Sequence, residues 1–374
     1  MYTLFVARGY PTEKYKTYGI FEFDQAKALA KKGVKVVYAA IDLRSIRRWR
    51  KWGIQKTEKD GVIIYSINIP LGRVPAGMLR KFGVSGLKRL YKKIEKEQGR
   101  PDVIHAHFTN SAYSASFLKE EVGIPLVVTE HSSKINKDNI DEDLKKVASR
   151  AYKRADSLVA VSDALAKKME KNFGVTAKYI PNIVDLDEFE YMEKAPSDKF
   201  TIISTGNLRE IKRMDLLIRA FSKAFAGDEN INLKIFGQGE EKSNLESLIK
   251  EEDLESQVEL MGLRPRREIA QTLSDSDLFV LASKAETFGV AFIEALAMGV
   301  PVISTRSGGP EGFINSENGL LVDDEESLVD GMEYMYKNIG EYHRKNIARE
   351  TKELFSGDKF VEEIRTVYKE LLEK

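Results

Sequence analysis

Two carboxylates stand eight residues apart in the run Ser283-Lys284-Ala285-Glu286-Thr287-Phe288-Gly289-Val290-Ala291-Phe292-Ile293-Glu294. The pattern places Glu286 at a strand-to-helix turn and Glu294 on the helix that follows. Eight residues of helix rise ~12 Å. That span suits a ligand with hydroxyls at two separate ends, such as a hexose and a ribose joined by a diphosphate. Thr287, Phe288 and Gly289 would present backbone N–H groups at a helix N-terminus, where anions bind well. Carboxylates accept hydrogen bonds from sugar hydroxyls, and amides donate them to phosphate.

Other residues could join that chemistry. The loop Gly206-Asn207-Leu208-Arg209-Glu210-Ile211-Lys212-Arg213 follows an apolar strand. Ligands of open α/β sheets bind beyond the carboxyl ends of strands, so Arg209 and Lys212 can reach a diphosphate there. Gly237-Gln238-Gly239 is a second strand-to-helix turn, without the third glycine and distal acid of a dinucleotide fingerprint. Arg264 ends a third strand, and its loop could touch a base through backbone groups. His105 and His107 alternate onto one face of a strand. A histidine at such a strand end can donate to a sugar hydroxyl, whereas a satisfied structural histidine is the plainer reading for His105. His131 ends another strand. Gly19 opens the first helix and can free one amide for a phosphate. Asp185-Leu186-Asp187 and Asp275-Ser276-Asp277 have D-x-D spacing but no second ligand cluster, so no metal site is expected.

These residues need a scaffold of alternating strands and helices. Strands are expected at residues 3–7, 34–39, 62–67, 103–106, 126–129 and 157–161. Helices are expected at 21–32, 78–97 with a break near 83–86, 138–154 and 163–173. Residues 181–199 are acidic and aperiodic and read as a linker. A second alternation follows, with strands at 201–204, 232–236, 257–261, 278–281, 301–304 and 319–322. Its helices are expected at 214–226, 243–251, 266–274 and 291–298, and residues 359–373 form a last amphipathic helix. Such alternation implies parallel sheets covered on both faces. We expect an N-terminal domain over 1–180, the linker over 181–199, a C-terminal domain over 200–355 and a terminal segment over 356–374.

Composition narrows the function. The 374 residues are 42% hydrophobic and contain no cysteine, which excludes disulfides and thiolate metal sites. No apolar run approaches a membrane span, and no charged-then-apolar leader precedes the first strand. We therefore expect a cytosolic protein, with peripheral placement at the inner face of a membrane. The net charge of +1 hides an asymmetry. Residues 1–100 hold 23 Lys and Arg against 8 Asp and Glu, whereas residues 201–374 hold 22 against 33. Trp49 and Trp52 lie within a basic run, as at an anionic membrane surface. No recognition motif for nucleic acid accompanies the charge.

The set Glu286…Glu294, then Ser307-Gly308-Gly309-Pro310-Glu311 and Asn318-Gly319-Leu320-Leu321-Val322, resembles the E-x7-E signature of the retaining nucleotide-sugar glycosyltransferases of family 4. The resemblance extends over almost the whole chain and is most specific between residues 200 and 325. It implies an α/β GT-B fold, two Rossmann-like parallel-sheet domains facing across a cleft, with the donor nucleotide sugar on the C-terminal domain. It also implies that the last helix packs back on the N-terminal domain. Lys212 matches the family lysine that neutralises the leaving diphosphate. The partner arginine usually stands where Asn207 is, and Arg209 is the stand-in. Glu286 would act in catalysis and Glu294 would hold the ribose. Gly237 would lie beside the base, and His107 near the transferred sugar. His131 would shape the acceptor side. The family has paired glycines where this chain has Gly19 alone.

The implied reaction moves a hexosyl unit from a nucleoside diphosphate sugar, UDP ahead of GDP, to a lipid-linked saccharide or similar acceptor, without cofactor or metal. Two alternatives stand beside it. A UDP-sugar 2-epimerase of the same fold would carry a T-E-R-P-E-like segment where this chain has Ser307 to Glu311. A non-catalytic sugar-nucleotide binder would need no intact Lys212 and Glu286.

Overall fold

A computed structural model describes residues 1–15, 18–45, 51–137, 139–184 and 187–373, with the side chains of residues 44 and 45 left aside. Trp49 and Asp185 lie outside the described residues. The chain divides into two compact units, Met1–Ile183 with Gly357–Lys374, and Val184–Ser356.

The first unit runs β1 (Tyr2–Ala7), α1 (Ile20–Lys31), β2 (Lys35–Ser45), β3 (Gly53–Lys59), β4 (Val62–Leu71), α2 (Ala76–Gln98), β5 (Val103–His107), α3 (Phe108–Val122), β6 (Leu126–Glu130), α4 (Glu142–Arg154), β7 (Ser157–Ala160), α5 (Asp163–Phe173) and β8 (Lys178–Tyr179). Its eight strands are ordered β3-β4-β2-β1-β5-β6-β7-β8. All pairings are parallel except β3 with β4. Chain direction across the sheet reverses between β1 and β5, the kind of switch point where open α/β sheets leave a crevice.

Four local features depart from the sequence reading. The antiparallel hairpin β3–β4 breaks strict alternation. Its Asp60-Gly61 turn, with φ of 51° and 75°, is the positive-φ pair that a tight hairpin needs. Helix α2 runs unbroken through Gly83 and Gly86. A Cβ on Gly83 would lie 3.1 Å from Ser114 Oγ, and one on Gly86 would lie 3.4 Å from Ile69 Cδ1. These glycines let a continuous helix lie close to its neighbours. The helix expected from residue 138 starts at Glu142, because the Asp141 carboxylate caps it by accepting from Leu144 N at 3.1 Å. Helix α3, unexpected from the sequence, fills the gap after β5.

The terminal helix α12 (Gly357–Leu372) belongs to the first unit. Phe360, Val361, Ile364, Val367 and Tyr368 recur at helical spacing and enter one buried cluster with Phe5, Phe23, Leu29 and Val34. Burying each large side chain contributes roughly 1.5–3 kcal/mol. Tyr368 also reaches the sheet, its hydroxyl lying 2.6 Å from His105 Nδ1.

The second unit runs β9 (Phe200–Thr205), α6 (Met214–Phe225), β10 (Ile231–Phe236), α7 (Lys242–Glu251), β11 (Val258–Gly262), α8 (Arg266–Ser274), β12 (Leu278–Leu281), α9 (Val290–Ala297), β13 (Val302–Thr305), β14 (Gly319–Val322), α10 (Glu325–Asn338) and α11 (Arg344–Phe355). Helices α10 and α11 also went unexpected. The six strands are ordered β11-β10-β9-β12-β13-β14 and are all parallel. This is the doubly wound order, with its switch point between β9 and β12.

Candidate active site

The two loops at that switch point carry the strongest residues of the sequence. After β9, residues 206–213 make a short turn and enter α6 through Arg213, whose φ is 49°. After β12, residues 282–289 enter α9 through Gly289 at φ 96°. Backbone bonds stitch the loops together: Lys284 N donates to Ile211 O at 2.8 Å. The second loop is braced from β13 by Thr305 Oγ1 donating to Ser283 O at 2.7 Å. Glu286 N donates to Ser307 O at 2.8 Å, and Gly309 N donates to Glu286 O at 3.0 Å.

On this frame Lys212 Nζ donates to Glu286 Oε1 at 2.5 Å, and Ser283 Oγ donates to the same oxygen at 2.6 Å. Glu286 is 11% exposed and Lys212 22%. The pair is thus dry enough for strong electrostatics yet open enough to meet a ligand. Thr287 is half-buried and Phe288 buried. Phe288 does not line open space; its ring packs on Phe313 and Phe355 at 5.8 Å each. It anchors the turn. Gly289, having no side chain, supplies no side-chain cap to α9.

Glu294 lies on α9, 12% exposed, with Arg266 Nη2 at 3.3 Å from its Oε1. Only Val290 to Glu294 of the eight-residue interval is helical. The rise of an eight-residue helix therefore does not measure the separation of the two carboxylates; the turn sets it. Arg266 was missed in the sequence because it opens a helix, where arginine normally reads as solvated charge.

Gly237 and Gly239 have a steric role. A Cβ on Gly237 would lie 1.8 Å from Gly206 O, and one on Gly239 would lie 2.1 Å from Leu208 O. The turn after β10 thereby supports the loop that carries Lys212. Arg209 is well exposed, with Nε 3.8 Å from Glu240 Oε1. Arg264 is exposed too, and its Nε donates to Met261 O at 2.9 Å. Neither joins the Lys212–Glu286 pair. Asp277 accepts from Thr201 N at 2.8 Å and pairs with Lys194, so it ties strands together. Among the described residues no cluster of three or more His, Asp or Glu could hold a metal.

In the first unit, His105 and His107 share a face of β5, with ring centroids 4.3 Å apart. His105 has both nitrogens engaged, by Tyr368 Oη and by Thr129 Oγ1 at 2.7 Å. Its role is structural. His107 Nδ1 lies 3.2 Å from His131 Nε2, and no described residue bonds its Nε2. Burial pushes His105 and His131 down to about 3 and His107 well below its ordinary value, so all three rings are neutral. Glu130, missed in the sequence, fixes the His131 turn. It accepts from Thr109 Oγ1 and Tyr152 Oη at 2.7 Å, and from the backbone N–H of His131 and Ser132. Gly19 caps α1 at φ 74°, and a Cβ there would lie 2.2 Å from Gly9 O. Only glycine fits.

Cationic and carboxylate side chains at the switch point of a doubly wound sheet mark a candidate ligand site beyond the carboxyl ends of the strands. Residues 187–353 match the family described as glycosyl transferases group 1, and residues 23–188 match glycosyltransferase family 4. The chain is 30% identical over 320 residues to an uncharacterised glycosyltransferase of Methanocaldococcus jannaschii, covering 81% of this chain and 86% of the relative. It is 28% identical to N-acetyl-alpha-D-glucosaminyl L-malate synthase of Bacillus anthracis, over 72% of this chain and 75% of that one. A putative teichuronic acid biosynthesis glycosyltransferase of Bacillus subtilis is 27% identical, over 86% and 85%. Among solved structures, sucrose-phosphate synthase from Thermosynechococcus elongatus superposes with a TM-score of 0.81 at 20% identity, over 99% and 98% of the chains. Anabaena HepE in complex with UDP-glucose gives 0.74 at 17%, over 99% of each chain. The chain belongs to the family 4 glycosyltransferases and has their GT-B fold.

Proposed function

We propose that this glycosyltransferase moves a hexosyl unit from a UDP-sugar, with retention of anomeric configuration, to a saccharide or lipid-linked acceptor in surface polysaccharide or glycoconjugate synthesis. The carrying observation is Lys212 held on Glu286 at the switch point of the second sheet. The names of the relatives support the acceptor class, and the UDP-glucose complex of HepE supports the donor. Lys212, with Arg209 from the same loop, would meet the negative charge of the leaving diphosphate, as would the amides at Gly289. Glu294, steadied by Arg266, would accept from ribose hydroxyls. In the first unit, the buried His107 Nε2, which no described residue bonds, would meet a sugar hydroxyl.

No side chain need form a covalent intermediate in this reading. The acceptor oxygen bonds to the anomeric carbon on the face the diphosphate leaves. The breaking C–O bond gives its electron pair to the diphosphate, which takes the acceptor proton. Catalysis is then positioning plus stabilisation of the leaving group. The test is transfer from UDP-glucose, UDP-N-acetylglucosamine and GDP-mannose to a panel of saccharide and polyprenyl-linked acceptors, in EDTA. NMR of the product anomeric proton should show the donor's configuration. An inverted product, or turnover only with added Mg²⁺ or Mn²⁺, would overturn it.

A further inference from the structure

The switch point of the first sheet, between β1 and β5, carries a cation that the proposed reaction leaves unassigned. Arg8 directly follows β1, and His107 and Phe108 stand where β5 passes into α3. The Arg8 guanidinium lies over the Phe108 ring, 4.1 Å from its centroid. Phe108 holds φ at 65°, a left-handed conformation that bulky residues rarely adopt. Its ring in turn stacks on His131 at 4.8 Å. Beneath Arg8 sits Glu22, in the first turn of α1 and wholly buried. Arg8 Nε is 3.3 Å from Glu22 Oε1 as an ion pair, and no described residue gives that carboxylate a hydrogen bond. Arg8 itself is 46% exposed, and no described residue accepts from its terminal amino groups.

This is the arrangement of a positioned anion receptor. A buried carboxylate fixes one edge of the guanidinium, an aromatic ring supports its face, and the remaining fork of donors is unspent. Such a fork matches carboxylate and phosphate bidentately. The basic balance of residues 1–100, 23 against 8, would draw an anion to the same unit.

Resting on the transferase reading, we infer that Arg8 is the acceptor-recognition residue of the first unit and takes a carboxylate or phosphate group of the acceptor, with Glu22 as its positioning residue. The same anion chemistry could come from the donor's diphosphate, so the experiment separates the two. Full-length protein and its R8Q, R8K and E22Q variants would be titrated calorimetrically with UDP, then with inorganic phosphate after UDP saturation. We expect wild type to bind phosphate with UDP already bound. R8Q should weaken phosphate at least ten-fold and R8K less, while UDP affinity changes under two-fold. E22Q should weaken phosphate by a few-fold with the native near-UV spectrum retained. Equal phosphate affinity in wild type and R8Q would overturn the assignment, as would phosphate binding that UDP saturation abolishes, which would make Arg8 a donor contact. Should R8Q lose its native spectrum, R8K carries the comparison. Failure of wild type to bind UDP would instead strike the donor reading, and phosphate titrated alone would still decide Arg8.

Discussion

Lys212 Nζ sits 2.5 Å from Glu286 Oε1, joining the loop after β9 to the loop after β12. The two residues are 74 positions apart in the chain and meet because β9 and β12 are neighbours in the sheet. A lysine held on a carboxylate is positioned before any diphosphate arrives.

Replacing Lys212 by alanine should lower kcat by ~10²–10³, the usual loss when one donor to a developing anion is removed. The donor KM should change less, because the charge grows as the sugar–phosphate bond breaks. Steady-state kinetics with the best UDP-sugar checks this. Full turnover with only a raised KM would reduce Lys212 to a binding residue.

Glu294→Ala should weaken UDP binding by about 1.5–3 kcal/mol, the range for a hydrogen bond to a charged group. Arg266→Ala should weaken it by a smaller amount, because Arg266 only steadies the carboxylate. Calorimetric titration of both variants with UDP gives the order. Unchanged affinity in Glu294→Ala would remove it from the ribose site.

Gly237→Ala should destabilise the second unit. The added Cβ would overlap Gly206 O, and φ of 149° is a conformation for glycine alone. Strain of this kind costs on the order of 1–3 kcal/mol before the clash is counted. Thermal unfolding should shift down by several degrees, and a melt identical to wild type would contradict the packing.

Acid should destabilise the first unit before the ordinary carboxylate range is reached. His105, His107 and His131 are neutral when folded, with His105 and His131 held to about 3, against an unfolded value near 6.5. The unfolded chain therefore binds more protons between these values, so stability falls as pH drops below 6.5. The contribution is on the order of 1–2 kcal/mol per histidine at pH 5. Burial raises Glu22 and Glu130, which acts in the opposite direction and leaves part of the loss. Urea unfolding at pH 7 and pH 5 measures the sum, and a midpoint no lower at pH 5 would count against neutral, buried rings.

We also propose that the first unit associates with anionic membranes. Trp52 is 60% exposed, and Met78 and Phe82, one turn apart near the N-terminal end of α2 beside Arg80 and Lys81, are exposed as well. No described helix is long and apolar enough to cross a bilayer. Each Lys or Arg near an anionic surface contributes ~1 kcal/mol, screened by salt. Sedimentation with phosphatidylserine vesicles should show binding that high salt and M78S with F82S reduce. No binding at low salt would leave the basic surface to a soluble anion.

The amino-acid sequence by itself determined most of the scaffold and the second-unit candidates. Short apolar stretches closed by a glycine or polar turn mark most of the second-unit strands, and Leu278–Leu281 of β12 is apolar and buried throughout, as a strand covered on both faces is expected to be. Lys212, Glu286 and Glu294 are legible because their loops follow such strands. Local pattern misled at Gly83 and Gly86, whose value is close packing against Ser114 and Ile69. It also passed over the Asp60-Gly61 hairpin. Pairings between distant residues were decided only in the tertiary structure. Arg8 meets Phe108 and Glu22, Arg266 meets Glu294, and Tyr368 meets His105 through strand order and helix packing that no local spacing encodes. Burial separates His105, satisfied on both nitrogens, from His107, with one to spare, although both stand on one strand face. A side chain's chemistry depends on which groups desolvate and pair it, and those groups come from elements far away in the chain.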